Sequence, residues 1–192
     1  MPLERETIQY QYFRSMGNWL KGKTVMQRRF KSAYFDNQTI TIADDVDLDD
    51  PQITTVISTS QSLTNAQRLA ESRHVHAYYR DFHHMVGGED WLDELMGIPD
   101  TVEDIWQHVT LGDIWVEQDR NRTDTHYLAM EADCAWEEEH GLLLVWKNGQ
   151  RLTRVSGFDG HMTNDDASAT AHPAPIVYAA SDPKFTTHLE QG

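Results

Sequence analysis

The sequence LLLVWKNGQRLTRV, residues 142–155, contains the clearest structural signal in the chain. Residues 142–146 are apolar at every position, as expected of a central strand buried on both faces. The Asn148-Gly149 pair that follows supplies the positive φ angles that a type I′ hairpin turn requires. Residues 151–155 are more polar, so we expect them to form a more exposed strand that returns alongside the first. The stretch predicts a β-hairpin.

A two-residue period extends upstream of this hairpin. Residues 114–117 are predicted to form a strand, and the charged turn at 119–124 separates it from a longer one. One face of the longer strand is expected to carry His126, Leu128, Met130, Ala132 and Cys134. Together with the hairpin, these segments predict a four-stranded antiparallel meander.

Helical patterns occupy the middle of the chain. Thr64 is placed to cap a helix that runs to Val86, where Gly87-Gly88 ends it. Its expected core-facing residues are Leu69, Val75, Tyr79, Phe82 and Val86. Shorter helices are predicted at 91–96 and over the apolar residues Val102, Ile105, Trp106 and Val109.

The N-terminal region is less regular. Residues 25–34 and 39–42 are predicted to form a short hairpin, whereas residues 7–20 fit either a helix or an extended segment. The predicted fold class is therefore α+β, with helices preceding a C-terminal antiparallel β-meander and with a short N-terminal β-hairpin. We expect an N-terminal extension at 1–29 that packs on the domain, the domain itself at 30–167, and a surface tail at 168–192.

The charge balance is strongly acidic. Thirty-one Asp and Glu residues stand against 16 Lys and Arg residues, for a formal net charge of −15. Such a polyanion is repelled by nucleic acid and by anionic membranes, so neither is an expected ligand. The charge is explained either by solubility, including life in salt, or by a basic protein partner. The single cysteine and the absence of an apolar signal segment in residues 1–6 predict a cytoplasmic protein.

The segment 44–50 holds five aspartates in seven residues. A calcium-binding loop of the EF-hand type needs a central glycine and a distal glutamate, and this segment has neither. We therefore expect a solvated loop in which Asp50 caps a helix and Pro51 occupies the first helical position.

Four of the ten histidines are close together in the sequence: His74, His76, His83 and His84. On a helix, ligands of one metal ion must lie three or four residues apart, because zinc–nitrogen distances are only about 2.0 Å. His76 and His83 share a side but are seven residues apart, and the other two point elsewhere. We therefore predict structural roles for all four.

A second group of polar residues lies in segments 134–141 and 157–161. In a catalytic interpretation, Glu139 and His140 form an acid/base pair, or His140 binds a metal ion together with Asp159 and His161. In a structural interpretation, Trp136 lies in the core, Gly141 lets the chain turn into the next strand, and the glutamates are solvated. Cys134 is expected to be an inert buried thiol.

The same region contains a recognisable pattern. Cys-x-Trp-Glu-x-Glu-His-Gly-Leu begins at Cys134 and is followed by an apolar strand, Asn-Gly, Leu-x-Arg-Val-Ser-Gly and Asp-Gly-His. This pattern resembles a bacterial family catalogued only as a domain of unknown function, although Ala135 replaces the acidic residue usual there. Segments 34–36, 105–110 and 114–117 are also similar, so the resemblance covers about residues 30–167. It implies no known activity and assigns no catalytic residue.

The favoured function is a non-enzymatic binding protein, specifically an immunity-type inhibitor that covers the basic face of a bacterial toxin. Acidic side chains would steer association, and exposed aromatic residues would anchor the complex. The expected partner contacts are Asp44, Asp45, Asp47, Asp49, Asp50, Glu137, Glu138 and Glu139. The alternatives are a metal-dependent or acid/base hydrolase that uses Glu139, His140, Asp159 and His161, and a structural or regulatory subunit of a larger assembly. No cofactor is predicted.

Overall fold

A computed structural model describes residues 4–5, 28–88, 90–168 and 175–189. Within them, one sheet has the strand order β1-β2-β3-β5-β6-β7-β8-β9-β10, and β4 pairs with β6 beside this row. The strands are β1 (Glu4–Arg5), β2 (Arg28–Ser32), β3 (Gln38–Ile42), β4 (Val109–Thr110), β5 (Ile114–Gln118), β6 (His126–Cys134), β7 (Glu137–Lys147), β8 (Arg151–Ser156), β9 (Ile176–Tyr178) and β10 (Thr187–His188).

Helices lie between the strands in the chain. The α-helices are α1 (Pro51–Ser60), α2 (Asn65–Met85), α3 (Asp90–Met96) and α4 (Asn164–Ser168), and short 3₁₀ helices cover Glu103–His108 and Pro183–Phe185. None of the helices within the described ranges is both long and apolar enough to span a lipid bilayer.

The predicted meander is confirmed. Strands β5, β6, β7 and β8 pair antiparallel in sequence order. Asn148 and Gly149 have φ angles of 52° and 68°, and the N–H of Gln150 donates to the carbonyl of Lys147, as a type I′ turn requires. Residues 142–146 are all buried, which confirms β7 as a central strand.

The sheet as a whole is mixed, which corrects the predicted topology. β3 pairs parallel with β5 at Ile42 and Ile114, and β8 pairs parallel with β9 at Val155 and Tyr178. α4 and the 3₁₀ helix at Pro183–Phe185 follow the meander, so the helices do not all precede it. Both parallel pairs join distant segments of the chain, and a two-residue period carries no information on such pairing. The fold class remains α+β.

The N-terminal hairpin is confirmed within the described residues. β2 and β3 pair antiparallel, from Arg28 opposite Ile42 to Ser32 opposite Gln38. The earlier part of the first predicted strand, residues 25–27, and the ambiguous segment 7–20 lie outside the described residues.

The expectation that residues 168–192 form a surface tail is wrong for β9. Val177 and Tyr178 are buried, and β9 extends the sheet beside β8. The carboxylate of Asp81, which is fully buried in α2, accepts hydrogen bonds from the Tyr178 hydroxyl and from the N–H groups of Ser181 and Asp182. These bonds attach the C-terminal segment to α2.

The helix ends follow the predicted capping. The Asp50 side chain accepts from the N–H of Gln52 and caps α1, with Pro51 at its start. Thr64 and Gln67 form a capping box at the start of α2, whose C-cap is Val86. Leu69, which was expected to face the core, is 38% exposed, and Val102, one of the apolar residues of the predicted short helix, is 37% exposed.

The apolar core occupies both faces of the meander. On one face, Leu142, Leu144 and Trp146 pack with residues of α1 and α2. On the other, Tyr127, Ala129, Leu143 and Val145 pack with Met162. Burial on both sides explains why residues 142–146 lack polar side chains.

Candidate functional site

The motif at 134–141 lies at one end of the sheet. β6 ends at Cys134, Ala135 and Trp136 form the turn, and β7 begins at Glu137. Trp136 is buried, and its ring makes edge contacts with Tyr78 and Tyr79 of α2. The structural prediction for Trp136 is therefore confirmed.

Residues 138–141 form a bulge in β7. Ala132 pairs with Leu142 and Cys134 pairs with Glu137, so four residues of β7 lie opposite Asp133 alone. Gly141 has a φ of +59°, and a Cβ atom there would lie 2.7 Å from the carbonyl oxygen of Ala132. Gly141 was expected to let the chain turn into a strand; instead it permits a bulge inside one.

The Glu137 carboxylate organises this bulge. Oε1 accepts a hydrogen bond of 3.0 Å from the N–H of Glu139, and Oε2 accepts one of 2.8 Å from the N–H of His140. Oε2 also lies 3.4 Å from the Tyr78 hydroxyl and 3.4 Å from Nδ1 of His140. The Glu137 side chain is 11% exposed, whereas Glu138, Glu139 and His140 are exposed. The Glu137 side chain therefore holds the backbone of the bulge in place, while the side chains of Glu138 and Glu139 remain exposed to solvent.

Glu137, Glu139 and His140 each offer one ligand atom within 4.8 Å of the others. This geometry could hold a divalent cation. However, exposed acidic groups often form such clusters without a bound ion. The grouping has a structural explanation in the bulge.

Asp159 and His161 do not join this cluster. No group of three close ligand atoms among the described residues contains either of them. The carboxylate of Asp159 instead binds the guanidinium of Arg154, with Nη1–Oδ1 and Nη2–Oδ2 distances of 2.8 Å and 2.5 Å, and Arg154 is 2% exposed. Partial burial alone would raise the pKa of Asp159, but the hydrogen bonds from Arg154 and from the N–H of His161 outweigh it and lower that pKa.

The Cys134 thiol is buried and lies 3.4 Å from the carbonyl oxygen of Glu137. Burial raises the pKa of this thiol to about 12, so thiolate is scarce at neutral pH. The arrangement agrees with the expected inert thiol.

The four central histidines have separate partners. His74 Nδ1 shares a hydrogen bond with the Thr187 hydroxyl, and the His76 ring contacts Tyr79. His83 pairs with Asp93, and His84 lies 3.3 Å from a carboxylate oxygen of Asp182. These contacts agree with the structural roles predicted for them.

A cleft of about 440 Å³ lies beside the bulge. Leu95 and Met96 of α3 and Ala135 contribute its apolar lining. Gln107, His108 and Thr110 line another part, and the acidic lining residues are Asp133, Glu137 and Glu138. Among the residues that the structure describes, no Lys or Arg lines the cleft. We call it the bulge cleft.

An exposed apolar patch adjoins the bulge cleft. Trp91 and Leu95 lie one turn apart on α3 and are 50% and 57% exposed, and the nearby Ile98 is 69% exposed. We call Trp91, Leu95 and Ile98 the α3 patch. The sequence that contains it is one-sided in charge, because residues 81–119 contain eleven Asp and Glu residues and no Lys or Arg.

Sequence reasoning missed the α3 patch. The segment 91–96 was predicted to be helical, but with only six residues its exposed and buried sides could not be distinguished. The absence of basic residues from 81–119 was the signal that could have identified this face.

The predicted partner contacts lie in two separate regions. The acidic loop at 44–50 follows β3, which pairs with β5 at Ile114. Ile114 pairs with Met130 of β6, and Met130 pairs with Leu144 of β7. Met130 is four residues from Cys134, the residue paired with Glu137, so the two regions are about 13 Å apart along β6 at about 3.3 Å per residue. Only Glu137 and Glu138 of the predicted contacts line the bulge cleft.

A family model described as "Domain of unknown function (DUF6985)" matches residues 6–162. The chain belongs to this family. Membership in DUF6985 confirms the resemblance to a domain of unknown function, while the bacterial origin stays a prediction. The DUF6985 match includes most of the segment 1–29, and the proposed domain boundaries also stay a prediction. No curated protein matches the chain, and no solved structure matches it.

Proposed function

We propose that this DUF6985 protein is a non-enzymatic binding protein that captures a basic protein partner, in the manner of an immunity-type inhibitor of a basic toxin. The observation that carries the proposal is the α3 patch next to an acidic cleft that no Lys or Arg of the described ranges lines. Exposed clusters of large apolar side chains with polar surroundings often mark protein–protein interaction sites.

The two features have complementary physical roles. A half-exposed Trp such as Trp91 can insert into a partner's pocket and contribute a large share of the binding energy. The acidic surroundings attract a cationic surface over long range and raise the association rate. The net charge of −15 adds to this attraction.

The hydrolase alternative has weaker support. Its proposed residues separate into two places, because Glu139 and His140 lie on the bulge while Asp159 is bound to Arg154. A structural or regulatory subunit would use the same α3 patch for a permanent interface. The size and the salt dependence of the complex would distinguish such a subunit from an inhibitor of a basic protein.

The test is capture of a basic protein encoded beside the gene, followed by calorimetry on the purified complex. We expect Trp91→Ala and Leu95→Ala each to weaken binding at least about tenfold. Raising salt from about 0.05 M to about 0.5 M should also weaken binding, because it screens the charges.

Leu69→Ala is the matched control, since Leu69 is also a partly exposed apolar helix residue but lies on α2. It should leave the affinity unchanged. A complex insensitive to both salt and Trp91→Ala would contradict the proposal, and so would the absence of any complex with a basic protein.

A further inference from the structure

We propose that the bulge cleft receives an arginine side chain from the basic partner. This inference rests on the proposed function and specifies the chemistry of the contact. The cleft combines three carboxylates with an apolar lining from Leu95 and Met96. That combination matches a side chain that has an apolar stem and a cationic end.

The acidic side of the cleft lacks an internal counter-charge. Asp133 and Glu138 are exposed, and neither forms an ion pair among the described residues. Of the cleft residues in the described part of the chain, His108 alone has a side chain that could carry a positive charge. The three carboxylates that line the cleft all attract an incoming cation.

Glu137 is held in place before any ligand arrives. Its two oxygens accept the N–H groups of Glu139 and His140, and only 11% of its side chain is exposed. A fixed carboxylate loses little conformational freedom on binding, which favours affinity. Glu138 follows it in the bulge, so two carboxylates adjoin the cleft from one backbone segment.

The apolar lining favours a long side chain over a free metal ion. Met96 is buried, Leu95 is 57% exposed, and Ala135 lies at the turn between β6 and β7. The methylene groups of an arginine can cover this surface while its guanidinium reaches the carboxylates. A guanidinium donates through two parallel N–H groups to one carboxylate, which an ammonium group does not do.

The cleft volume fits a peptide segment around the arginine. About 440 Å³ lies within the range of about 300–1,000 Å³ that is typical of ligand pockets. The α3 patch next to Leu95 can then contact apolar residues that flank the arginine.

The probe is a capped Ala-Arg-Ala peptide, titrated into the full chain while backbone amides are followed by NMR. We expect saturable shifts at Ala135, Glu138 and Gly141. The same peptide with citrulline, the neutral isostere of arginine, should bind at least about tenfold more weakly because it lacks the charge. Equal affinity for the two peptides would overturn the inference, and so would equal affinity for a lysine peptide.

The variant Asp133→Asn with Glu138→Gln should reduce arginine-peptide affinity at least about tenfold. Both residues are exposed and the substitutions keep side-chain size, so the amide spectrum should otherwise stay unchanged. Asp113→Asn with Asp124→Asn is the matched control, because it removes two exposed carboxylates that neither line the cleft nor belong to the expected partner contacts. An equal loss of affinity in both double variants would show general attraction to a polyanion and overturn the inference.

The two proposals fail differently. If the complex forms and depends on Trp91 but ignores the Asp133 and Glu138 substitutions, the arginine cleft is wrong and the binding function stands. If the arginine peptide binds at the bulge but no basic protein is captured, the partner proposal is wrong and the cleft inference stands.

Discussion

At the residue scale, His74 couples folding to pH. It is 3% exposed, and its Nδ1 shares a hydrogen bond of 2.7 Å with the Thr187 hydroxyl. Burial, followed by the charges of Arg73 and Arg151, lowers the pKa of His74 to about 4. The unfolded chain takes up a proton near the ordinary pKa of about 6.5, so acidification favours unfolding.

We expect His74 to remove about 2 kcal/mol of the free energy of unfolding between about pH 7 and about pH 5. The measurement is urea unfolding at both pH values. His74→Gln, which keeps a hydrogen-bonding group but does not titrate, should show a smaller loss by about that amount. An identical pH dependence in the two proteins would show that His74 has the same pKa in the folded and unfolded states, and would contradict the prediction.

Residue roles could be predicted where they depend on near neighbours in sequence. The helix cap at Asp50 followed from the adjacent Pro51, and it is confirmed by the bond from the N–H of Gln52. The role of Asp159 could not be predicted, because its partner Arg154 lies on a strand whose buried face was unknown. Local spacing therefore fixed capping but not ion pairing.

At the element scale, the β7–β8 turn packs directly against α1. A Cβ atom at Gly149 would lie 2.2 Å from the carbonyl oxygen of Val56, and Gly149 has a φ of +68°. Gly149→Ala would therefore add a backbone clash to the strain of a left-handed residue. We expect it to lower the free energy of unfolding by about 3 kcal/mol, measured by urea unfolding.

Gly160→Ala separates these two contributions. Gly160 has a φ of +75°, and a Cβ atom there would meet nothing within 4 Å. It should cost only about 1 kcal/mol from backbone strain. Equal losses in the two variants would mean that the turn moves away from α1 without penalty.

The element boundaries show what periodicity can and cannot predict. The meander and the type I′ turn followed from the two-residue period and the Asn-Gly pair. β9 was missed because Ile176, Val177 and Tyr178 are three apolar residues without an alternating pattern around them. The bulge at 138–141 was missed because four consecutive polar or glycine residues also fit a turn.

At the scale of the whole molecule, the net charge of −15 opposes compaction. Folding brings the carboxylates closer together, and at about 0.1 M salt the repulsion between exposed charges more than about 10 Å apart is largely screened. Raising sodium chloride from about 0.05 M to about 0.5 M should therefore raise Tm by about 3 °C. Scanning calorimetry at the two salt concentrations measures this shift.

The double variant Asp44→Asn with Asp45→Asn should show a smaller salt effect, since it removes two exposed charges. A Tm that falls with salt would mean that attractive ion pairs dominate the electrostatics of the folded chain.

The arrangement of short strands around the meander also affects self-association. The outermost strands of the described sheet, β1 and β10, are two residues long. The long strands β6 and β7 lie inside the sheet and are paired on both sides. A short edge offers few unpaired N–H and C=O groups to a second molecule, and repulsion between acidic copies adds to this protection. The strands beside the hydrophobic centre of the sheet therefore protect it from edge-to-edge pairing with a second molecule.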